Sequence, residues 1–148
     1  MNLQNLTGKW EGVYTYGPNY PIQWQIKKEI FAMDLVASGH SFTGSCYDSY
    51  TKELFNQPAI VEGTADEKNI SFIKKYAAWL GINDNLELIV DWSKPSLEIH
   101  YFGILKRKLF SRKFFFEGSW SITDHYFTEQ GEQIFYTSEG NWELYKIG

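Results

Sequence analysis

The chain has 148 residues, 18% of them aromatic, and a formal net charge of -4. This length predicts a single domain over residues 1–148 that buries roughly two thirds of the surface its unfolded chain exposes. The acidic balance argues against a general nucleic-acid binder, because such proteins normally carry a basic field.

The single cysteine and the first residues lead to an expectation about location. Cys46 alone excludes an intramolecular disulfide and any Cys-x-x-Cys motif, which fits a reducing compartment. The first six residues have neither the basic nor the apolar region of a secretory signal. No apolar run approaches the ~20 residues that cross a bilayer as a helix. We therefore expect a cytoplasmic protein.

The first strand is predicted over residues 8–16, where a Gly-x-Trp motif opens a run of alternating apolar and polar residues. The motif returns at 118–120 and 140–142, each time within a similar run. Successive side chains on a strand point to opposite faces, so the glycine and tryptophan of each copy share a face. The glycine leaves room there for a large neighbour. The repeated motif indicates the strands of a barrel.

The following segments have the pattern of short strands separated by turns. After a turn at 17–19, the alternation of Ile22, Trp24 and Ile26 predicts a strand. Residues 27–35 also satisfy helical spacing; we predict a strand, with a bulge near Lys28 to account for the blurred pattern. A turn at 38–41 precedes a strand at 42–48. A strand that opens at 61–63 is then joined by a hairpin turn at 66–69 to one that begins at Ile70.

The second half of the chain continues this pattern. Residues 72–80 fit both a strand and a short helix, and we predict a strand. A loop at 81–85 precedes strands with apolar faces at 86–92, 97–103 and 114–122, and the last strand holds Trp142 and Leu144. Short strands with turns between them predict an all-β fold, an antiparallel up-and-down barrel of about eight to ten strands. Glycines at 12, 44, 63, 103 and 118 would let its strands bend.

These motifs resemble the calycin group of barrels, which includes lipocalins, fatty-acid-binding proteins and avidins. Gly8-Lys9-Trp10 resembles the lipocalin Gly-x-Trp, whose tryptophan closes one end of the barrel. Residues 6–10 followed by 42–46 are similar to the first and third strands of avidins. The resemblance implies a lipocalin-like barrel with Trp10 at a closed end. It does not imply biotin binding, because Gly12 and Cys46 stand where avidins place a biotin-binding asparagine and tyrosine.

The resemblance and the strand pattern together predict a function. We expect non-enzymatic binding of a small apolar or amphipathic molecule inside the barrel. The alternative is a barrel filled by its own aromatic side chains that acts as a structural or protein-interaction module, and a small enzyme that uses the cavity is a third reading. The candidate ligand-binding residues on the inner parity are Tyr14, Tyr16, Trp24, Cys46, Asp48, Lys74, Tyr101, Phe116 and Trp120.

Three of these candidates carry ionisable groups. Cys46 and Asp48 share the apolar face of strand 42–48, where burial would raise the pKa of either group, but such residues more often lie hydrated at a barrel mouth. Of Lys74 and Lys75, one must point inward if this segment is a strand. An unpaired buried ammonium is costly, so an inward lysine would pair with an acid such as Asp48 or face an anionic ligand, unless these residues lie at the rim or on a helix. We predict the rim.

The sequence predicts neither a metal site nor a cofactor. His40, His100 and His125 are far apart and lack metal-ligand spacing, and we expect the first two in solvent. Haem barrels of the nitrobindin type share a Gly-x-Trp-x-Gly opening, but their histidine ligand in the C-terminal strands has no clear match after His125. No nucleophile elbow, phosphate loop or dinucleotide fingerprint occurs, so we assign no catalytic residue.

Residues 106–113 form a separate feature, because they hold five of the fourteen cations. The rest of the chain is therefore more acidic than the net charge of -4 indicates. A solvated hairpin tip whose charges discourage edge-to-edge aggregation is one interpretation. The other is a patch that attracts an anionic surface or partner, with Phe110 and the phenylalanines at 114–116 beside it.

Overall fold

The computed structural model describes residues 2–111 and 113–148, and most of them lie in strands. A 3₁₀ helix, Leu3–Leu6, comes first, and a single helical turn, α1 (Ile22–Gln25), follows the first strand. The strands are β1 (Gly8–Tyr16), β2 (Lys28–Ser38), β3 (Ser41–Asp48), β4 (Ala59–Ala65), β5 (Asn69–Lys75), β6 (Trp79–Ile82), β7 (Leu88–Asp91), β8 (Ile99–Arg107), β9 (Phe114–Phe127) and β10 (Gln133–Lys146). No helix in the described residues has the length and apolar character needed to span a membrane.

Eight of these strands close into an antiparallel barrel. Their order around the barrel is β1-β10-β9-β8-β5-β4-β3-β2, and β1 pairs with both β2 and β10 to complete it. Strands β6 and β7 form a separate two-stranded hairpin between β5 and β8. This architecture confirms the predicted all-β, antiparallel up-and-down barrel, with eight strands in the barrel itself.

One end of the barrel is closed by the N-terminal residues. Leu6 of the 3₁₀ helix is buried, and its carbonyl accepts a 2.8 Å hydrogen bond from Trp10 Nε1. Trp10 also packs on Phe116, with 5.6 Å between the ring centroids. The predicted position of Trp10 at a closed end is therefore confirmed. The opposite end, where β1 finishes at Tyr16 and β8 begins at Ile99, is called the mouth below.

A close approach of β8 and β9 requires glycine at two facing positions. Gly103 lies opposite Gly118 in the ladder, and the Trp142 ring packs over the first of them. A Cβ on Gly103 would lie 2.5 Å from Trp142 Cζ2, and one on Gly118 would collide with the carbonyl oxygen of Phe102. These two predicted glycine positions therefore allow the strands and the tryptophan to pack closely.

The segment around Trp24 differs from the prediction. Residues 22–25 form α1 rather than a strand, so the period-two alternation of Ile22, Trp24 and Ile26 was misleading. Trp24 is buried between Tyr16 and Tyr50, each with its ring centroid 5.1 Å away, whereas both isoleucines are exposed. Packing of one large aromatic ring decides the conformation here, and the preceding Pro21 suits the start of a helical turn.

Two further local predictions are corrected by the structure. Strand β2 pairs without interruption with β1 from Lys28 to Leu35, so these residues contain no bulge near Lys28. The strand predicted over 72–80 is divided, because β5 ends at Lys75 and β6 begins at Trp79. Between them, the Tyr76 backbone N–H donates a 2.9 Å hydrogen bond to Ser96 Oγ, which draws the chain out of the barrel ladder. Part of the loop predicted at 81–85 belongs to β6.

Strands β9 and β10 are longer than the rest of the barrel. Beyond the pair formed by Ile122 and Ser138, they pair only with each other over 123–127 and 133–137. This two-stranded extension, called the ribbon below, projects past the mouth. Its inward parity carries Asp124 and Tyr136, which therefore face the opening of the barrel.

Candidate functional site

A cavity of about 320 Å³ opens at the mouth of the barrel. Strands β1, β5, β8, β9 and β10 supply its inner walls, and the β6–β7 hairpin, the ribbon and the turn before α1 form its rim. Aromatic side chains dominate the lining: Tyr14, Tyr16, Tyr20, Tyr50, Tyr76, Trp79, Tyr101, Trp120 and Tyr136. The cavity thus has the concave, largely aromatic character of a small-molecule site.

The half of the barrel below this cavity is filled by its own side chains. Phe72 stacks on Tyr101 with ring centroids 4.5 Å apart and meets Trp142 edge-on at 5.5 Å. Phe42 packs on Phe72 from the other side at 6.1 Å. Aromatic self-packing therefore accounts for the closed half of the interior, whereas the mouth half has an open cavity.

A larger groove of about 670 Å³ lies on the outside of the barrel. It runs over outward-facing residues of β1, β8, β9 and β10, among them Val13, Phe102 and Glu143. A groove on an outer sheet surface does not enclose a small molecule, and it lacks the convergence of aromatic rings and ionisable groups at the mouth. The interior cavity is therefore the better candidate site.

A buried ion pair lies at the base of the cavity. Lys74 Nζ is 3.3 Å from Asp48 Oδ2, and the two side chains are 2% and 0% exposed. The predictions that Lys74 lies at the rim and that Asp48 is hydrated at the mouth are therefore wrong. The alternative in which Lys74 pairs with Asp48 is correct. Strands β3 and β5 lie on either side of β4, and both side chains point into the interior of the barrel.

Asp48 is held by further hydrogen bonds. Its Oδ1 accepts from the backbone N–H and the hydroxyl of Thr51, at 2.8 and 2.7 Å, and its Oδ2 accepts from the Tyr76 hydroxyl at 2.6 Å. Burial alone would raise the pKa of Asp48, but the Lys74 ammonium and these hydrogen bonds outweigh it and lower the pKa. Asp48 is therefore ionised at neutral pH, and hydrogen-bond donors of the protein take the place of water around its carboxylate.

Lys74 presents its charge to aromatic rings on the cavity side. Burial alone would lower the pKa of Lys74, but Tyr101, Tyr76, Cys46 and Asp48 together hold it well above the ordinary value. The Nζ atom lies 5.3 Å from the ring centroid of Tyr14, 5.0 Å from that of Tyr76 and 5.5 Å from that of Tyr101. Contacts of a cation with aromatic rings at this range are attractive.

The hydroxyl groups beside Lys74 are potential donors to a ligand. The Tyr16 hydroxyl is buried and has no hydrogen-bond partner among residues 2–111 and 113–148. The Tyr14 ring lies next to both Tyr16 and the ion pair, because its centroid is 5.7 Å from that of Tyr16 and 5.3 Å from Lys74 Nζ. Burial raises the pKa of both phenols, so they are protonated at neutral pH and can donate a hydrogen bond.

All nine candidates from the sequence are buried, but the cavity separates them into two groups. Its lining contains five of them: Tyr14, Tyr16, Lys74, Tyr101 and Trp120. The others lie behind this surface: Trp24 packs on Tyr16, Asp48 pairs with Lys74, and Phe116 contacts Trp10 at the closed end. Cys46 is also internal, and burial raises the pKa of its thiol to about 11, so it is not a thiolate at neutral pH.

Several lining residues were not among the candidates. Tyr20 and Tyr50 follow the ends of β1 and β3, Tyr76 follows β5, and Trp79 is the first residue of β6. Barrel strand parity says nothing about the three tyrosines, which lie outside strands, or about Trp79, whose strand lies outside the barrel sheet. The available signal was an aromatic residue shortly after the end of a strand whose last residues point into the barrel, because such a residue can reach the mouth.

The histidines lie apart from the cavity. His100 is exposed on the outer face of β8, 3.4 Å from Glu98 Oε2, and His40 is exposed in a turn, as expected for both. His125 lies on the outer face of the ribbon, where its ring is 5.6 Å from that of Phe127. Within 2–111 and 113–148, no group of three or more histidine, cysteine, aspartate and glutamate side chains is arranged to hold a metal ion.

The cationic segment 106–113 connects β8 to β9 at the closed end of the barrel. The backbone N–H of Lys108 donates a 2.9 Å hydrogen bond to the Lys113 carbonyl, so this segment is a hairpin tip, as the first interpretation predicts. Leu109 and Phe110 at the tip are 87% and 96% exposed. Arg112, one of the five cations, lies outside the described residues.

Comparisons with known proteins do not identify a family for this chain. No family model matches the sequence, and no curated protein matches it. Among solved structures, the crystal structure of rhizavidin is similar over 93% of this chain and 84% of the other, with a TM-score of 0.46 and 11% sequence identity. The geometry of the mouth cavity is therefore the basis for assigning a function.

Proposed function

We propose that the protein binds a small amphipathic molecule in the mouth cavity without converting it chemically. The observation that carries this proposal is an open, aromatic-walled cavity with a single buried ammonium, Lys74, in its lining. Its volume of about 320 Å³ falls at the lower end of the range for ligand pockets, roughly 300–1,000 Å³. The ligand is therefore small, with an apolar body and a polar group.

The walls of the cavity suit the apolar body of such a ligand. Trp120 and Tyr16 are set edge to face with ring centroids 6.0 Å apart, and Trp120 Nε1 is fixed by a 2.9 Å hydrogen bond to the Thr15 carbonyl. Ile99, Ile122 and Leu88 add aliphatic surface. Rings held by their neighbours offer a preformed apolar surface, which lowers the entropic cost of binding.

The ionisable groups at and behind the base of the cavity support binding rather than turnover. Asp48 is occupied by four hydrogen-bond donors, the Cys46 thiol is protonated, and Lys74 is a cation whose pKa is raised. A general base or a nucleophile needs a free electron pair near neutral pH, and none of these three groups offers one.

Fluorescence titration with N-phenyl-1-naphthylamine, a neutral apolar dye, tests the proposed function. We expect saturable binding of one dye per chain, and loss of that binding in Ile122→Trp, which fills the mouth. Ile60→Trp is the matched control, because Ile60 is 62% exposed on the outer face of β4. Absence of saturable binding to the folded protein, or equal binding by both variants, would overturn the proposal.

A second surface has a proposed partner of its own. We propose that the 106–113 hairpin tip attracts an anionic surface, because Leu109 and Phe110 are almost fully exposed between cations. Apolar side chains surrounded by lysine and arginine are typical of segments that contact the interface of an anionic membrane. This tip lies at the end of the barrel opposite the mouth, so the two sites are tested separately.

A further inference from the structure

We infer that the ligand of the mouth cavity carries a carboxylate, which binds to the Lys74 ammonium and to the hydroxyl groups of Tyr14 and Tyr16. This inference rests on the proposed function, because it specifies the polar group of the molecule that the cavity holds. Four features of the cavity support it: the free donor of Lys74, the position of Asp48, the buried Tyr16 hydroxyl and the distribution of acids in the lining.

Lys74 has more donors than the protein uses. Its ammonium carries three N–H groups; within the described residues one is directed to Asp48 Oδ2, at 3.3 Å, and the Tyr101 side chain is a second, weaker partner. The side chain is 2% exposed, so bulk water does not surround the remaining donor. Because Lys74 is part of the cavity lining, this donor is available to a molecule bound there.

Asp48 neutralises this charge from behind the cavity surface. It is absent from the described lining, and both of its oxygens accept hydrogen bonds from Thr51, Tyr76 and Lys74. A ligand that reaches the base of the cavity therefore meets the cation and not its counter-ion. The satisfied carboxylate also keeps Lys74 charged and in place before the ligand arrives.

The Tyr16 hydroxyl is an independent indication of a ligand acceptor. It is buried, Tyr16 belongs to the cavity lining, and among residues 2–111 and 113–148 the hydroxyl makes no hydrogen bond of ordinary geometry and interacts only weakly with the Tyr14 side chain. Buried hydroxyl groups in proteins are rarely left unpaired, because the lost hydrogen bond to water is unfavourable. The Tyr14 ring lies beside both the Tyr16 ring and the Lys74 ammonium, so the three residues form a continuous row in the lining.

A carboxylate fits this row better than a neutral acceptor does. Its two oxygens offer about four acceptor positions, and hydrogen bonds between ions and from phenols to a carboxylate are stronger than those to a neutral group. The acidic residue in the cavity lining is Asp124, which lies on the ribbon at the rim and accepts a 3.2 Å hydrogen bond from the Tyr136 hydroxyl. The negative charge of the lining is thus at the rim, and the donors are at the base.

Competition against bound N-phenyl-1-naphthylamine tests the inference with a matched pair of probes, 2-naphthoic acid and 2-naphthamide. They share an apolar body and differ in the charge of one group. At neutral pH we expect the acid to bind at least about 10-fold more tightly than the amide, which is the effect of one charge-assisted hydrogen bond. Equal displacement by the two probes would overturn the inference, while saturable dye binding would still support the proposed function.

Tyr16→Phe separates the head-group contact from the fold. This substitution removes a hydroxyl that has no partner in the described protein, so the variant is expected to fold. We expect it to weaken binding of 2-naphthoic acid about 10-fold, with little change for the amide. Tyr47→Phe, on the exposed outer face of β3, is the control and should leave both affinities unchanged. Unchanged binding of the acid to Tyr16→Phe would count against the contact.

The double variant Lys74→Met with Asp48→Asn tests the cation without leaving a buried charge unpaired. We expect a loss of at least about 10-fold in affinity for the acid, and the disappearance of its advantage over the amide. If this variant retains dye binding and still prefers the acid, the ammonium is not the receptor of the carboxylate. If wild type binds no dye at all, the proposed function itself is overturned, so the two failures are distinguishable.

Discussion

Lys74 Nζ lies 3.3 Å from Asp48 Oδ2 inside the barrel, and the two residues are 26 positions apart in the chain. Removing either partner would leave the other charge buried and unpaired. The pair joins the inner faces of β3 and β5, and through Tyr76 and Thr51 it also fixes the segments that follow these strands. Its removal therefore affects stability as well as the site.

We expect Lys74→Met alone to destabilise the protein by about 3–5 kcal/mol, because it leaves the Asp48 carboxylate buried without its counter-ion. The double variant Lys74→Met with Asp48→Asn should recover much of this loss, since neutral replacement of a buried pair is often tolerated. Denaturant unfolding of the wild type, both single variants and the double variant measures the coupling. If the double variant loses as much free energy of unfolding as the two single variants together, the pair contributes no coupling energy.

The stability of the barrel should also depend on pH through Asp48. Its pKa is lowered in the folded state, so its contribution is fully present above the unfolded value, about 3.9. The contribution decreases as the pH falls below that value and is lost once the pH passes the folded pKa. Urea unfolding between pH 7 and pH 2 should therefore show an acid-dependent loss that is smaller in Lys74→Met with Asp48→Asn. The same acid dependence in both proteins would contradict this assignment.

The closed end of the barrel can be tested through Trp10. We expect Trp10→Ala to cost about 3–5 kcal/mol of unfolding free energy, the range for deletion of a large buried aromatic side chain. The substitution also removes the hydrogen bond from Nε1 to the Leu6 carbonyl. Trp92→Ala is the control, because Trp92 is 65% exposed, and we expect it to cost less than about 1 kcal/mol. If guanidinium unfolding gives comparable losses for the two variants, Trp10 stabilises the barrel no more than an exposed tryptophan does.

The proposed anionic partner of the hairpin tip is tested by Lys106→Glu with Lys108→Glu. We expect the fold to remain intact and binding to phosphatidylserine-containing vesicles to fall, most clearly at low salt, since exposed charges are screened beyond roughly 10 Å at 0.1 M. Vesicle co-sedimentation measures the effect.

The matched control for the hairpin is Lys52→Glu with Lys68→Glu, which makes the same change in net charge at two exposed lysines elsewhere. A parallel loss of binding in this control would indicate a general effect of net charge. Absence of vesicle binding by the wild type would reject the proposed partner, and the charges of the tip would then serve only to discourage aggregation.

Strand parity predicted much of the barrel because it is a local property. Each inward-facing residue of β1 follows from alternation alone, and Tyr14 and Tyr16 are buried as expected. The same reasoning failed at Trp24, where alternation continues but packing on Tyr16 and Tyr50 favours a helical turn. It also gave no information about Tyr76, which leaves the barrel ladder and still reaches the site through its hydroxyl.

Period two by itself determined the fold class and most of the side chains that point into the barrel, because alternation along a strand is a local property. The closed end at Trp10 followed from the resemblance of Gly8-Lys9-Trp10 to the lipocalin motif. Only the tertiary structure decided how deep each side chain lies, because depth depends on how strands far apart in the chain align. That alignment brings Lys74 to Asp48 and leaves Tyr16 without a partner. It also divides one aromatic interior into a filled half at the closed end and an open cavity at the mouth.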